Sequence, residues 1–161
     1  FTGVIQDSAS SATLCALLTA RERITGWQAN EDGLSALPPI TIYTSAQAHS
    51  SIEKDAKVAG IGRRNVRAVE TGDDFAMRPE ALAQAIEDDK AAGFSPACVV
   101  ASLGGTGVGA IDALRSIGEI CRHHGLFLHV DAAWAGSALI LPEHRWMLEG
   151  IEYVDLSLIH I

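Results

Sequence analysis

Four short apolar runs alternate with helix-length amphipathic stretches along this chain, and that alternation restricts the fold more than any other feature. The runs are ITIYT (40–44), NVRAV (65–69), ACVVASL (97–103) and LFLHV (126–130). The stretches between them have the periodicity of helices of about 10 to 15 residues. Strands alternating with such helices imply right-handed crossovers and a mainly parallel sheet with helices on both faces, an α/β architecture. ACVVASL has no polar alternation until its serine, the pattern of a strand covered on both sides.

Punctuation supports the same division. Residues 10–24 place Leu14, Leu17 and Leu18 on one helical face, with Ser8, Ser10 and Ser11 available as caps. Ser50-Ser51-Ile52-Glu53 has capping-box spacing and predicts a helix to about residue 59, closed by Gly60 and Gly62. Pro79 suits the first turn of a helix to about residue 92, with Gly93 behind it. After ACVVASL a glycine-rich loop, GGTGVG (104–109), leads to Asp112 as the expected N-cap of a helix ending near His124 and Gly125. Asp131 then falls at the carboxyl end of the fourth strand, where parallel sheets gather their ligands. Residues 1–155 read as part of one domain, with no internal repeat or linker.

Charge and composition exclude several classes. The formal net charge is -8, and the 12 basic residues are scattered among 20 acids, so no nucleic-acid partner is expected. No apolar run approaches the roughly 18 residues of a membrane span. Cys15, Cys98 and Cys121 are far apart in apolar segments without C-x-x-C spacing, which predicts reduced, buried thiols and a cytoplasmic compartment. The six histidines form no H-E-x-x-H or comparable ligand set, so no metal is expected. The chain opens on Phe1 and not on Met, so a missing leader says nothing about the parent protein. Residues 156–161, LSLIHI, are what one frame of a transposon-derived sequencing adaptor (CTG TCT CTT ATA CAC ATC) encodes. They are set apart as a non-native tail, the alternative being a short apolar strand after Asp155.

Three places have chemical potential, each with an ordinary reading beside it. Residues 6–13, QDSASSAT, precede a helix whose free N–H groups would seat a phosphate, although serine N-capping explains the same composition. Gly105-x-Gly107-x-x-Ala110 with Asp131 fits a loose dinucleotide fingerprint, so an NAD-dependent oxidoreductase half is the rival reading, and a plain tight loop the simpler one. Against the rival, Asp112 caps a helix that starts beyond the glycines. His49 stands just before a helix at the end of the first strand, where a histidine is ordinarily a surface residue. His123, His124, His144 and His160 keep that ordinary reading, and His129 packs inside its strand. Asp131 itself is an acid closing an apolar run, a position that is costly without a positive partner.

Together these stretches resemble the group II pyridoxal-phosphate-dependent decarboxylases, the aromatic-L-amino-acid decarboxylase family. The motifs that carry the likeness are GVIQDSASSATLCALLTAR (3–21), TSAQAHSSIEKDAKVAGIG (44–62), GGTGVGAID (104–112) and HVDAAWAGSALILPE (129–143), in order from residue 3 to about 155. The resemblance implies part of the large domain of the fold type I transferase architecture and pyridoxal 5'-phosphate as cofactor. It implies that Asp131 pairs with the pyridinium nitrogen and keeps the ring an electron sink. It puts Ala133 under one ring face, His49 on the other beside the substrate, Ala9 and Ser10 at the phosphate, and Thr106 in contact with the cofactor. Asp7 stands where the family often has glycine, and Ser11 where it often has an acid. The family's Schiff-base lysine belongs to an Asn-x-His-Lys motif after the position of Asp155; Lys54, Lys57 and Lys90 lie on polar helix faces and do not replace it. The expected activity, decarboxylation of a small aromatic L-amino acid to its amine and CO2, therefore belongs to a homodimeric parent and not to these residues alone.

Overall fold

The computed structural model describes residues 2–160; Phe1 and Ile161, the last position of the LSLIHI segment, lie outside the described residues. Five strands form one sheet: β1 (Ile40–Ser45), β2 (Val66–Val69), β3 (Ser95–Ser102), β4 (Phe127–Asp131) and β5 (Leu156–Leu158). Their order is β2-β1-β3-β4-β5, and every pairing is parallel. The helices are α1 (Ala9–Ile24), α2 (Gln28–Asp32), α3 (Ser51–Val58), α4 (Pro79–Ala91) and α5 (Leu114–His124).

Strand alternation assigns the helices to faces. Ile40, Ile42, Cys98, Val100 and Phe127 share one core with Leu17 and Ala20 of α1 and Ile52 and Ala56 of α3. Tyr43, Val99, Ala101, Leu128 and Val130 point the other way, into a core with Leu82 and Ile86 of α4 and Leu114, Ile117 and Cys121 of α5. Both faces are thus covered, as the unbroken apolar strands require. Strand β3 begins two residues before the apolar run, at Ser95, and takes in Pro96. The register slips there, Thr41 facing Pro96 and Ile42 facing Cys98, which lets the sheet pass a residue with no N–H to donate.

Helix α1 runs antiparallel to the strands. Near its C-terminal end Arg23 binds the Asp155 carboxylate at 2.6 Å and lies 5.9 Å from the centre of the Phe127 ring, both at the start of β5 and β4. Its N-terminus therefore lies at the carboxyl ends of the strands, the end that also carries Asp131.

Three expectations are corrected. The Ser50 side chain makes no cap bond to α3; its neighbour Ser51 turns to His49 instead. Asp112 is not the N-cap of α5, which starts at Leu114 after an uncapped Ala113; its buried carboxylate binds backbone elsewhere. Cys15 is exposed, although Cys98 and Cys121 are buried free thiols. Leu156–Leu158, the start of the segment set apart above, pairs with β4 from His129 to Asp131.

Candidate active site

The site lies where β1, β3 and β4 end. The turn after β1 supplies His49, the loop after β3 supplies Gly104, Gly105 and Thr106, and the end of β4 supplies Asp131, Ala133 and Trp134, which together with Ser102 line one cleft. Four of the six residues singled out from the sequence, His49, Thr106, Asp131 and Ala133, are thus brought together. Ala9 and Ser10 are not in that cleft. Ala9 lines a neighbouring one between the start of α1 and residues 154–160, and Ser10 is exposed in the first turn of α1.

Each side chain is placed by local backbone. Asp131 alternates with His129 and Phe127 and so faces the α1 and α3 side of the sheet. Its Oδ1 accepts the Ala133 N–H at 3.1 Å, a tight Asx turn that fixes the carboxylate at the strand end. Among the described residues Asp131 takes part in no ion pair. The glycine loop folds back on itself: the N–H groups of Gly104 and Gly105 both donate to Ala110 O at 2.9 Å, and Gly109 N–H donates to Gly105 O at 2.7 Å. Helix α5 begins beyond the last of these glycines and not among them, as a dinucleotide fingerprint would need. Gly104 has φ +81, and a Cβ there would lie 2.5 Å from the Trp134 ring, so the indole rests on bare backbone.

Acids and histidines behind the cleft are tuned by burial. Asp112 is 3% exposed; burial pushes its carboxyl up, opposed by the N–H groups of Met77 and Ser102. Burial also pushes Asp55 of α3 up, opposed by the nearby His49 and Lys54. His129, fully buried beneath Asp131, is pushed down to about 4 by burial, against its bond to Leu156 O. It is therefore neutral, as a core histidine should be.

The donor set suits a flat cationic ring bearing an anionic tail. A carboxylate with no protein cation, small residues beside it (Gly104, Gly105, Ala133), an imidazole across the cleft, and a helix N-terminus at the same end of the sheet are the complementary parts. Sequence reasoning missed Ser102 and Trp134 as lining residues and Asp112 as a support. Strand parity from Asp131 to its β3 partner Ser102 would have found the first.

Residues 2–158 match the family described as the pyridoxal-dependent decarboxylase conserved domain. The chain is 47% identical over 157 residues to the aromatic-L-amino-acid decarboxylase of Bos taurus, covering 95% of this chain and 32% of that protein. It is also 47% identical over 159 residues to the histidine decarboxylase of Mus musculus, covering 95% of this chain and 23% of the relative. The crystal structure of Oryza sativa TDC with PLP and tryptamine superposes with a TM-score of 0.88 at 35% identity, over 95% of this chain and 32% of that one. The chain thus spans a third or less of the length of each of these three proteins.

Proposed function

The chain belongs to the pyridoxal-dependent decarboxylase family, and from that premise we propose that its full-length parent removes the α-carboxyl group of an aromatic L-amino acid, releasing the amine and CO2. Pyridoxal phosphate is the cofactor of this family, and when bound it supplies the electron sink for the breaking bond. Asp131 holds the proton on the ring nitrogen, which makes the ring accept electrons. Ala133 would leave room at one face of the bound ring and His49 would cover the other. Thr106 contacts the cofactor from the glycine loop. The N–H groups at Ala9 and Ser10 and the positive end of α1 hold the phosphate.

One observation carries this reading: the Asp131 carboxylate stands in the cleft with His49, Thr106 and Ala133 and, among the described residues, without an ion-pair partner. Lys54, Lys57 and Lys90 are all exposed on helices, so the Schiff-base lysine is proposed to come from a part of the parent outside residues 1–155, which form part of its large domain. The parent is proposed to act as a cytoplasmic homodimer.

The test is direct. The purified parent should show the visible absorbance of bound pyridoxal phosphate and release CO2 from an aromatic amino acid. Asp131→Asn should lower kcat by roughly a hundredfold or more, the scale of a lost preorganised charge. A parent without the absorbance, or an Asp131→Asn enzyme with full activity, rejects the proposal. Sequencing the parent gene decides whether LSLIHI is native.

A further inference from the structure

We propose that Ser51 is a positioning residue that fixes the tautomer of His49, so that the imidazole presents Nε2–H, and not a bare lone pair, to the cleft. The proposal deepens the reading of His49 as the group facing the cofactor and rests on that reading for its catalytic consequence, though not for its geometry.

Ser51 makes two contacts with one ring nitrogen. Its backbone N–H donates to His49 Nδ1 at 3.3 Å, and its hydroxyl oxygen lies 2.9 Å from the same atom. A backbone N–H cannot accept, so the nitrogen it addresses must offer a lone pair. The hydroxyl then donates to that lone pair as well, and in the neutral ring the proton is left on Nε2. Ser51 is the first residue of α3, so its N–H is one of those free of intrahelical partners, and the positive end of the helix favours a lone pair over a proton at Nδ1. At 3% exposed, the Ser51 hydroxyl has little water to turn to instead.

The competing device, an Nδ1–H donated to a carboxylate, is absent: no acid hydrogen-bonds the His49 ring among the described residues. Asp55, one turn further along α3 and influenced by His49, and Asp131, which lines the same cleft, each lack a hydrogen bond to the ring. The capping-box spacing at Ser50 produces no cap because Ser50 itself has helical backbone angles, φ -61 and ψ -12, and not the extended geometry of a capping serine. An Nε2–H in the cleft attracts an anionic oxygen, such as the carboxylate of an amino acid. The opposite tautomer would meet that oxygen with a lone pair and repel it.

The experiment is side-chain 15N NMR of the cofactor-free full-length parent at a pH where the ring is neutral, with the His49 signals identified by their loss in His49→Gln. Wild type should carry the His49 proton on Nε2. Ser51→Ala, which removes the 2.9 Å hydroxyl contact and leaves only the longer backbone N–H at 3.3 Å, should admit a share of the Nδ1–H form, and Ser51→Thr, which keeps a hydroxyl, should return to Nε2–H alone. In the loaded enzyme Ser51→Ala should lower kcat roughly tenfold with KM within about twofold, and Ser51→Thr should restore it. A wild-type proton on Nδ1, or a Ser51→Ala spectrum identical to wild type, overturns the proposal. A wild-type parent that takes up no pyridoxal phosphate overturns the functional reading instead and leaves the tautomer to be judged on the cofactor-free spectra.

Discussion

Asp112 accepts the backbone N–H of Ser102 on Oδ2 at 2.7 Å and returns its own N–H to the Ser102 carbonyl at 2.9 Å, so the two residues are tied by a reciprocal pair of bonds. Its other oxygen accepts the Met77 N–H at 2.7 Å. One buried carboxylate thus clamps the end of β3, the exit of the glycine loop and the strand-like bridge before α4. Ser102 lines the cleft and pairs with Asp131, so the clamp also sets the frame of the site.

Removing that clamp leaves two buried N–H groups without partners. Asp112→Ala should destabilise the protein by roughly 2–5 kcal/mol, since each orphaned group costs about 1–3 kcal/mol. Asp112→Asn should fall between, because its amide oxygen can still accept one N–H while its NH2, a donor, cannot accept the other. Denaturant midpoints measure the loss, and titration with pyridoxal phosphate should show weaker binding in both variants.

Gly104→Ala tests the contact under Trp134. The new methyl would be held at φ +81 and driven to 2.5 Å from the indole and 2.8 Å from Ala135 Cβ. Backbone strain alone costs about 1–2 kcal/mol, and the ring must move as well. The expected result is a lower melting temperature together with a shift in Trp fluorescence; an unchanged spectrum would mean that the indole does not rest on this backbone.

His129 makes stability depend on pH. Its pKa falls from an ordinary 6.5 to about 4 on folding, because burial disfavours the charged ring. The unfolded chain therefore binds the proton first as pH falls. Stability is fully present above 6.5 and is lost progressively towards pH 4, by about 3 kcal/mol over the interval. Melting temperature measured from pH 7 to pH 4 should drop less steeply in His129→Phe than in wild type.

Asp89 offers a variant whose damage stays away from the site. Burial alone would raise its pKa, but the hydrogen bonds from Arg67 and Tyr43 outweigh burial and hold it below the usual carboxylate value. Arg67 Nη2 lies 2.8 Å from Oδ1, and the Tyr43 hydroxyl donates to Oδ2 at 2.6 Å. Asp89→Ala should cost roughly 3 kcal/mol and Tyr43→Phe about 1 kcal/mol. The Asp89 contribution is present above the ordinary carboxylate range and fades as pH falls below it. Cofactor affinity, measured by titration below the melting temperature, should remain that of wild type.

Sheet, helices and the position of Asp131 were legible in the sequence because each depends on neighbours along the chain. Apolar runs of strand length, proline at the start of α4, and glycine after α4 and α5 act through local backbone preference and periodic burial. His49, Thr106 and Ala133 were named through the family resemblance, and they line one cleft with Asp131 because loops at the carboxyl ends of parallel strands converge.

Polar side chains were misread where two partners competed for them. By composition Asp112 and Ser50 suit helix caps, but a carboxylate buried with two distant N–H groups is better satisfied across the fold, and the decisive donor, Met77, is 35 residues away. Ser51 had no assigned role in the sequence, and the turn after β1 gave it one by bringing His49 Nδ1 to its N–H and hydroxyl. Sequence alone therefore determined the order of strands and helices and the end of the sheet at which chemistry gathers, since both follow from local periodicity and chain direction. Tertiary structure alone decided which donor each buried polar group meets, because hydrogen bonds are satisfied by proximity in space and a linear pattern holds no distances.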